Sequence, residues 1–141
     1  MKEYVVGFAF SNNLKNVLLI NKLKPEWQIG KLNGIGGKIE KFDKSPLDAM
    51  VREMGEESGL ITDNFWKQIC IFEGENHTWR VFIFACKTDN IYNFENKTEE
   101  KCQVCEVNHL PDNVIDNLRW VIPMCFDASV NPTTKVFFYE L

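Results

Sequence analysis

The sequence predicts an α/β domain, with mixed strands and two helices over residues 1–141. Three observations point to it. Short apolar or alternating runs recur along the chain, each bounded by turn residues. Two segments instead follow the helical period. A chain of 141 residues with 45% hydrophobic content can bury one core, and no repeat, low-complexity tract or linker divides it.

The elements follow in order. Tyr4 to Phe10 is a strand and Asn12-Asn13 a turn. Asn16 to Lys22 forms the second strand, and Lys24-Pro25-Glu26-Trp27 opens a loop. Leu32 to Ile35 is a short strand leading into the Gly36-Gly37 turn. The first helix spans Pro46 to Ser58, with Ser45 as its cap, Pro46 in the first turn, Asp48 favourable to the dipole and Gly59 as its stop. Trp66 to Glu73 and Arg80 to Lys87 are paired strands around Gly74-Glu75-Asn76-His77. Gln103 to Val107 is a further strand, a second helix covers 113–126, and Val136 to Tyr139 closes a sheet edge.

Composition narrows the partners. A net charge of −4 disfavours duplex nucleic acid, whose phosphates require a basic face. It leaves nucleotides open, because a metal can meet their phosphates. No apolar run approaches the ~20 residues needed to span a bilayer, so no membrane is expected. Met1-Lys2-Glu3-Tyr4 enters a strand directly and reads as no signal peptide, which predicts a cytoplasmic location. The five cysteines, 70, 86, 102, 105 and 125, are an odd set read as reduced thiols. Cys102 and Cys105 have CxxC spacing but lack a second pair for zinc and lie in a strand. His77 and His109 are isolated and read as surface or strand-end residues.

The first helix carries the chemistry. At ~100° per residue, with Glu53 as zero, Glu57 lies near +40°, Glu56 near −60° and Arg52 near −100°. Met50, Met54, Leu47 and Val51 fall between roughly +60° and +160°. A buried stripe therefore runs beside an acidic one. Glu53 repels Glu57 at i,i+4 and Glu56 at i,i+3, each pair costing ~0.2–0.5 kcal/mol, and only Arg52 to Glu56 relieves it. Local stability does not select this pattern. Hard divalent cations would, and their natural substrate is a polyphosphate.

At these residues the chain resembles the Nudix hydrolases, whose pattern is G-x5-E-x7-R-E-U-x-E-E-x-G-U, with U aliphatic. Gly37, Arg52, Glu53, Met54, Glu56, Glu57, Gly59 and Leu60 match. The interval from Gly37 to Arg52 is one residue longer than the pattern, and its loop glutamate is missing; Asp43 or Lys44 occupies that neighbourhood. The resemblance implies a Nudix-type α/β/α sandwich, a mixed sheet between helices. It also implies a hydrolase of nucleoside diphosphate-linked compounds that uses Mg²⁺, with Mn²⁺ possible. By the same analogy, Gly37, Glu53, Glu56 and Glu57 hold metal, and Glu53 or Glu56 is the general base. Arg52 orients the carboxylates, and an acid from a distant loop assists. Of Glu99-Glu100, Glu99 is favoured by position. Lys38 is either a phosphate contact or an exposed loop lysine, and Glu40 either a peripheral ligand or solvated.

The surrounding residues resemble the oxidised-purine nucleoside triphosphatases within that family. Asn33 precedes the glycine turn and offers a purine both donor and acceptor. Asp116-Asn117 stands where that branch has two acids, and Trp27 where it has a stacking aromatic, worth ~1–3 kcal/mol per base. Val114 replaces an aromatic. Each has a plain alternative: Asn33 ties down a turn, Asp116 and Asn117 are helix surface, and Trp27 is a loop aromatic. Trp120 reads as core packing. Three functions compete. The first is a nucleoside triphosphate diphosphatase releasing monophosphate and pyrophosphate, with an oxidised guanine nucleotide leading. The second is a Nudix enzyme on a nucleotide sugar, ADP-ribose, dinucleotide polyphosphate or capped RNA. The third is a non-catalytic nucleotide-binding module. Monomer and homodimer are both compatible with the sequence.

Overall fold

The computed structural model describes residues 1–139. Strands β1 (Lys2–Phe10), β2 (Asn16–Asn21), β3 (Leu32–Asn33), β4 (Ile35–Lys38), β5 (Lys67–Gly74), β6 (Trp79–Lys87), β7 (Cys102–Glu106) and β8 (Lys135–Phe138) build one mixed sheet. Its main path runs β3-β2-β1-β6-β5-β8, with β4 pairing β1 and β7 pairing β2. The β1–β6 and β5–β8 pairs are parallel and the other strand pairs antiparallel. Helix α1 (Pro46–Ser58) covers one face and α2 (Leu118–Met124) the other.

The two-residue period of the strands divides the core. On β1, Val5 and Ala9 join Met50 and Met54 under α1, while Phe8 and Phe10 join Leu118, Val121 and Ile122 under α2. On β2, Leu18 and Ile20 face α1, and Val17 and Leu19 face α2. This alternation explains the continuous apolar runs: both faces are covered, so both parities are apolar. It also disposes of the CxxC pair. Three residues apart on a strand, Cys102 and Cys105 enter opposite cores, and all five cysteines are free. Burial pushes the Cys102 thiol up to about 12.

Helix α1 has the expected bounds. Ser45 Oγ accepts from the Asp48 amide at 3.1 Å, Pro46 opens the first turn, and Gly59 closes the helix at φ 74°. Two elements differ in kind from expectation, and several strand ends shift by a residue or two. The strand expected over Leu32–Ile35 is two strands meeting at Gly34, so Gly36 and Gly37 lie inside β4, paired to Val6 and Val5. The helix expected over 113–126 begins only at Leu118. Residues 113–115 are drawn into a bridge beside β3 instead: Leu32 N donates to Asn113 O and Ile115 N to Leu32 O, each at 2.9 Å. Trp120 is 41% exposed rather than core, its ring lying 5.6 Å from Phe72 and 6.2 Å from Phe138. The last strand is Lys135–Phe138, one residue earlier than expected.

Candidate active site

Packing of Ala49, Met50 and Met54 onto the sheet sets the rotation of α1. That rotation decides where its acids fall. Glu53 and Glu57, 40° apart on the wheel, are carried against the sheet and buried at 8% and 9% exposure; Glu56 is on the open side. The Glu53 carboxylate lies directly on Gly37 of β4. A Cβ at Gly37 would come within 2.5 Å of Glu53 Oε1, so a side chain there would push that carboxylate aside.

Arg52 sits between the acids. Its Nη1 donates to Glu53 Oε1 at 2.9 Å and to Glu56 Oε2 at 3.2 Å. Its Nη2 reaches the Lys38 carbonyl at 3.1 Å. Burial pushes the Glu53 carboxyl above its ordinary value, opposed by the Arg52 charge and hydrogen bond. Glu57 is more extreme. Burial pushes it up to about 8, opposed by the Lys22 ammonium and reinforced by the other acids, and its Oε2 has no hydrogen-bond partner. A buried carboxylate without donors is costly in water-free surroundings, and either a proton or a cation relieves it.

Among the described residues, no three Asp, Glu, His or Cys side chains converge closely enough to hold an ion as they stand. Arg52 occupies the space between Glu53 and Glu56, and the Glu56 side chain is 55% exposed. The donor set nevertheless fits a hard divalent cation: carboxylate oxygens only, one of them orphaned, around a glycine cradle.

The loop acid beside this cluster is Glu100 rather than Glu99. Glu99 is exposed. Glu100 is buried at 8%, accepts from Lys22 Nζ at 3.2 Å and the Leu23 amide at 2.6 Å, and its charge is felt by Glu57. The reason is parity. Asn21 N donates to Lys101 O, extending the ladder before β7, and Glu100 shares its parity with Cys102 on the α1 face. Counting by twos from Cys102 identifies Glu100. Counting by twos from Ile20, which faces α1, likewise identifies Lys22, a residue the motif does not contain.

The residues expected to read a base gather at the β3 edge. Asn33 lies in β3, and the Leu32–Val114 bridge brings the segment ending in Asp116 and Asn117 alongside. Trp27 is 64% exposed on a short 3-10 turn at 26–28. Asn33 is tied locally: its Nδ2 donates to Gln28 Oε1 at 3.2 Å, and its Oδ1 accepts from the Gly34 amide at 2.7 Å. These bonds fix the orientation of its amide and leave one N–H and one lone pair free. Asp116 is exposed and Asn117 half-buried. Val114, at 2%, belongs to the core. The Lys38 and Glu40 side chains are exposed, as are His77 and His109. Among the described residues, no helix is long and apolar enough to cross a membrane.

Comparison with known proteins adds the following. The family description NUDIX domain matches residues 1–123. Among solved structures, MutT of Bacillus halodurans superposes with a TM-score of 0.68 at 17% identity, over 99% of this chain and 92% of that one. A MutT structure from work on Aliivibrio salmonicida and Vibrio cholerae gives 0.64 at 18%, over 86% and 96%. The NUDIX domain of Shewanella oneidensis NrtR, complexed with ADP ribose, gives 0.62 at 14%, over 88% and 85%. No curated protein sequence matches. At these identities the structural likeness speaks for the fold, an α/β/α sandwich of the MutT kind.

Proposed function

We propose, from the premise that this chain belongs to the Nudix hydrolase family, that it is a divalent-metal-dependent nucleoside triphosphate diphosphatase releasing a monophosphate and pyrophosphate. The observation that carries the reading is the buried, partnerless Glu57 oxygen beside Glu53 on its glycine cradle. Glu53, Glu56, Glu57 and Glu100, with Gly37, would hold Mg²⁺ or Mn²⁺; Glu100 takes the place given to Glu99 from sequence. Such an ion neutralises the phosphate chain and acidifies water.

The chain's own groups do the rest. Glu53 or Glu56 accepts the proton of the attacking water, and Arg52 holds those two carboxylates in register. Lys38, exposed at the end of β4, would meet a phosphate. Trp27 offers an open ring for stacking, and Asn33 with Asp116 and Asn117 provides a polar edge for the base. An oxidised guanine nucleotide is the leading substrate. Retention of all three helix glutamates supports an enzyme over a non-catalytic module.

Incubation with Mg²⁺ and a nucleotide panel tests this. Pyrophosphate from a triphosphate is expected; turnover confined to X-linked diphosphates such as ADP-ribose would move the assignment to that class. Glu56→Gln should lower kcat by ~10²–10⁴. Trp27→Ala should raise the Michaelis constant by roughly tenfold, as loss of one base stack implies. An unchanged constant for every nucleotide removes Trp27 from the base site.

A further inference from the structure

Arg52 is the cation built into the acidic cluster, and the side chain that governs it lies outside the family's motif as this sequence keeps it. The pattern's loop glutamate falls at position 43 when counted forward from Gly37 and at position 44 when counted back from Arg52. In the structure Lys44 is exposed, whereas the Asp43 carboxylate is 3% exposed and grips the guanidinium with both oxygens. Arg52 Nε donates to Oδ1 at 3.0 Å and Nη2 to Oδ2 at 2.8 Å. Oδ2 also accepts from the Glu40 amide at 2.8 Å, while the Asp43 amide donates back to Glu40 O. The Phe42 ring covers the guanidinium at 5.3 Å.

The consequence lies in how the donors of Arg52 are shared out. Its fork is shaped to hold carboxylates with two nitrogens at once. Here Asp43 and the Lys38 carbonyl take Nε and Nη2, so Nη1 alone faces Glu53 and Glu56. Freed from Asp43, the guanidinium could turn two nitrogens onto those acids and compete with a metal ion for them. We infer that Asp43 is a positioning residue which restrains Arg52, keeping Glu53 and Glu56 available to a divalent cation, and that Phe42 covers the clamp. In this loop, one residue longer than the family pattern, Asp43 reaches the arginine from one place farther from the helix than the position counted back from Arg52. This rests on the metal-hydrolase reading above.

The test is a double-mutant cycle on the full chain. It is read by Mn²⁺ titration with paramagnetic resonance of the free ion, and separately by kinetics. Asp43→Asn should weaken Mn²⁺ binding by about tenfold and lower kcat by roughly 10–100-fold with KM nearly unchanged. In an Arg52→Ala background the same substitution should have no further effect on Mn²⁺. An equal loss with and without Arg52 overturns the clamp. Asp43→Glu combined with deletion of Lys44 restores the family spacing and should bind Mn²⁺ like the parent; behaviour no better than Asp43→Ala with the same deletion also overturns it. Melting curves verify folding. Should Asp43→Asn not fold, Phe42→Leu at its exposed site replaces it, with a smaller expected loss that must again vanish without Arg52. Turnover of no nucleotide by the parent, with the Mn²⁺ coupling intact, refutes the hydrolase and leaves the clamp standing.

Discussion

Glu57 on α1 and Glu73 on β5 are both buried, and in each the Oε2 atom lacks a hydrogen-bond partner. Their surroundings are opposite. Glu73 is 1% exposed, opposite Arg80 on β6, whose Nη2 and Nε donate to its Oε1 at 2.7 and 3.1 Å. Lys135 Nζ stands 3.7 Å and His77 Nδ1 3.5 Å from its other oxygen. The Arg80 hydrogen bond, with help from the neighbouring charges, holds its carboxyl below the ordinary value. Around Glu57 the balance is reversed. Burial dominates, further acids add to it, and Lys22 alone opposes them. The chain supplies its own cations to one buried acid and leaves the other short. On the reading proposed above, this balance, rather than burial or an orphan oxygen alone, separates a structural ion cluster from a site that would take a cation.

Substitutions can break the comparison. The largest effect is expected at Glu57. Glu57→Gln should weaken Mn²⁺ or Mg²⁺ binding by about 100-fold in calorimetry, roughly 2.7 kcal/mol, while the metal-free protein melts no lower than its parent. Unaltered metal affinity would remove the distinction. Glu73→Gln should do the reverse: melting falls by several degrees, because Arg80 and Lys135 lose their partner, and metal affinity stays within about twofold. A metal-binding defect in this variant would show that the two regions are coupled.

The remaining effects lie in pH, and the two acids have opposite signs. Glu73 has a lowered folded pKa, so its contribution is present above the unfolded carboxylate pKa and is lost as pH falls. Glu57 is raised from 4.5 to about 8, so the folded state keeps a proton that the unfolded chain releases. Metal-free stability should therefore decline as pH rises from about 4.5 towards 8, and added Mg²⁺ should flatten that decline. Melting temperatures across this range, with and without Mg²⁺, measure it. A flat metal-free profile in both parent and Glu57→Gln contradicts the assignment.

Much of this was legible without coordinates. The bounds of α1 are local chemistry, a Ser cap, a Pro first turn and a Gly stop, so they hold as read. The acidic and apolar stripes follow from helical angle, and the structure buries Met50 and Met54 as that angle requires. The second helix is shorter than its apolar period because that period begins before the helix does: Val114 and Ile115 are apolar for a bridge to β3, not for a helix face. Position in the loop favours Glu99, but the strand begins at Cys102, and its parity carries Glu100 to the α1 face. Trp120 has the apolar spacing of a core residue, yet it lies on an aromatic surface with Phe72 and Phe138, contributed by β5 and β8 far along the chain.

Local patterns, then, determined the family, the helix and the acids it carries, because capping, periodicity and a contiguous motif act within a few residues. Only the assembled sheet decided how those acids differ. Gly37 arrives from β4, Lys22 from β2 and Glu100 from the approach to β7, and their distance from Glu53 and Glu57 is set by strand pairing. Burial and electrostatic imbalance are properties of that convergence, and no single segment contains them.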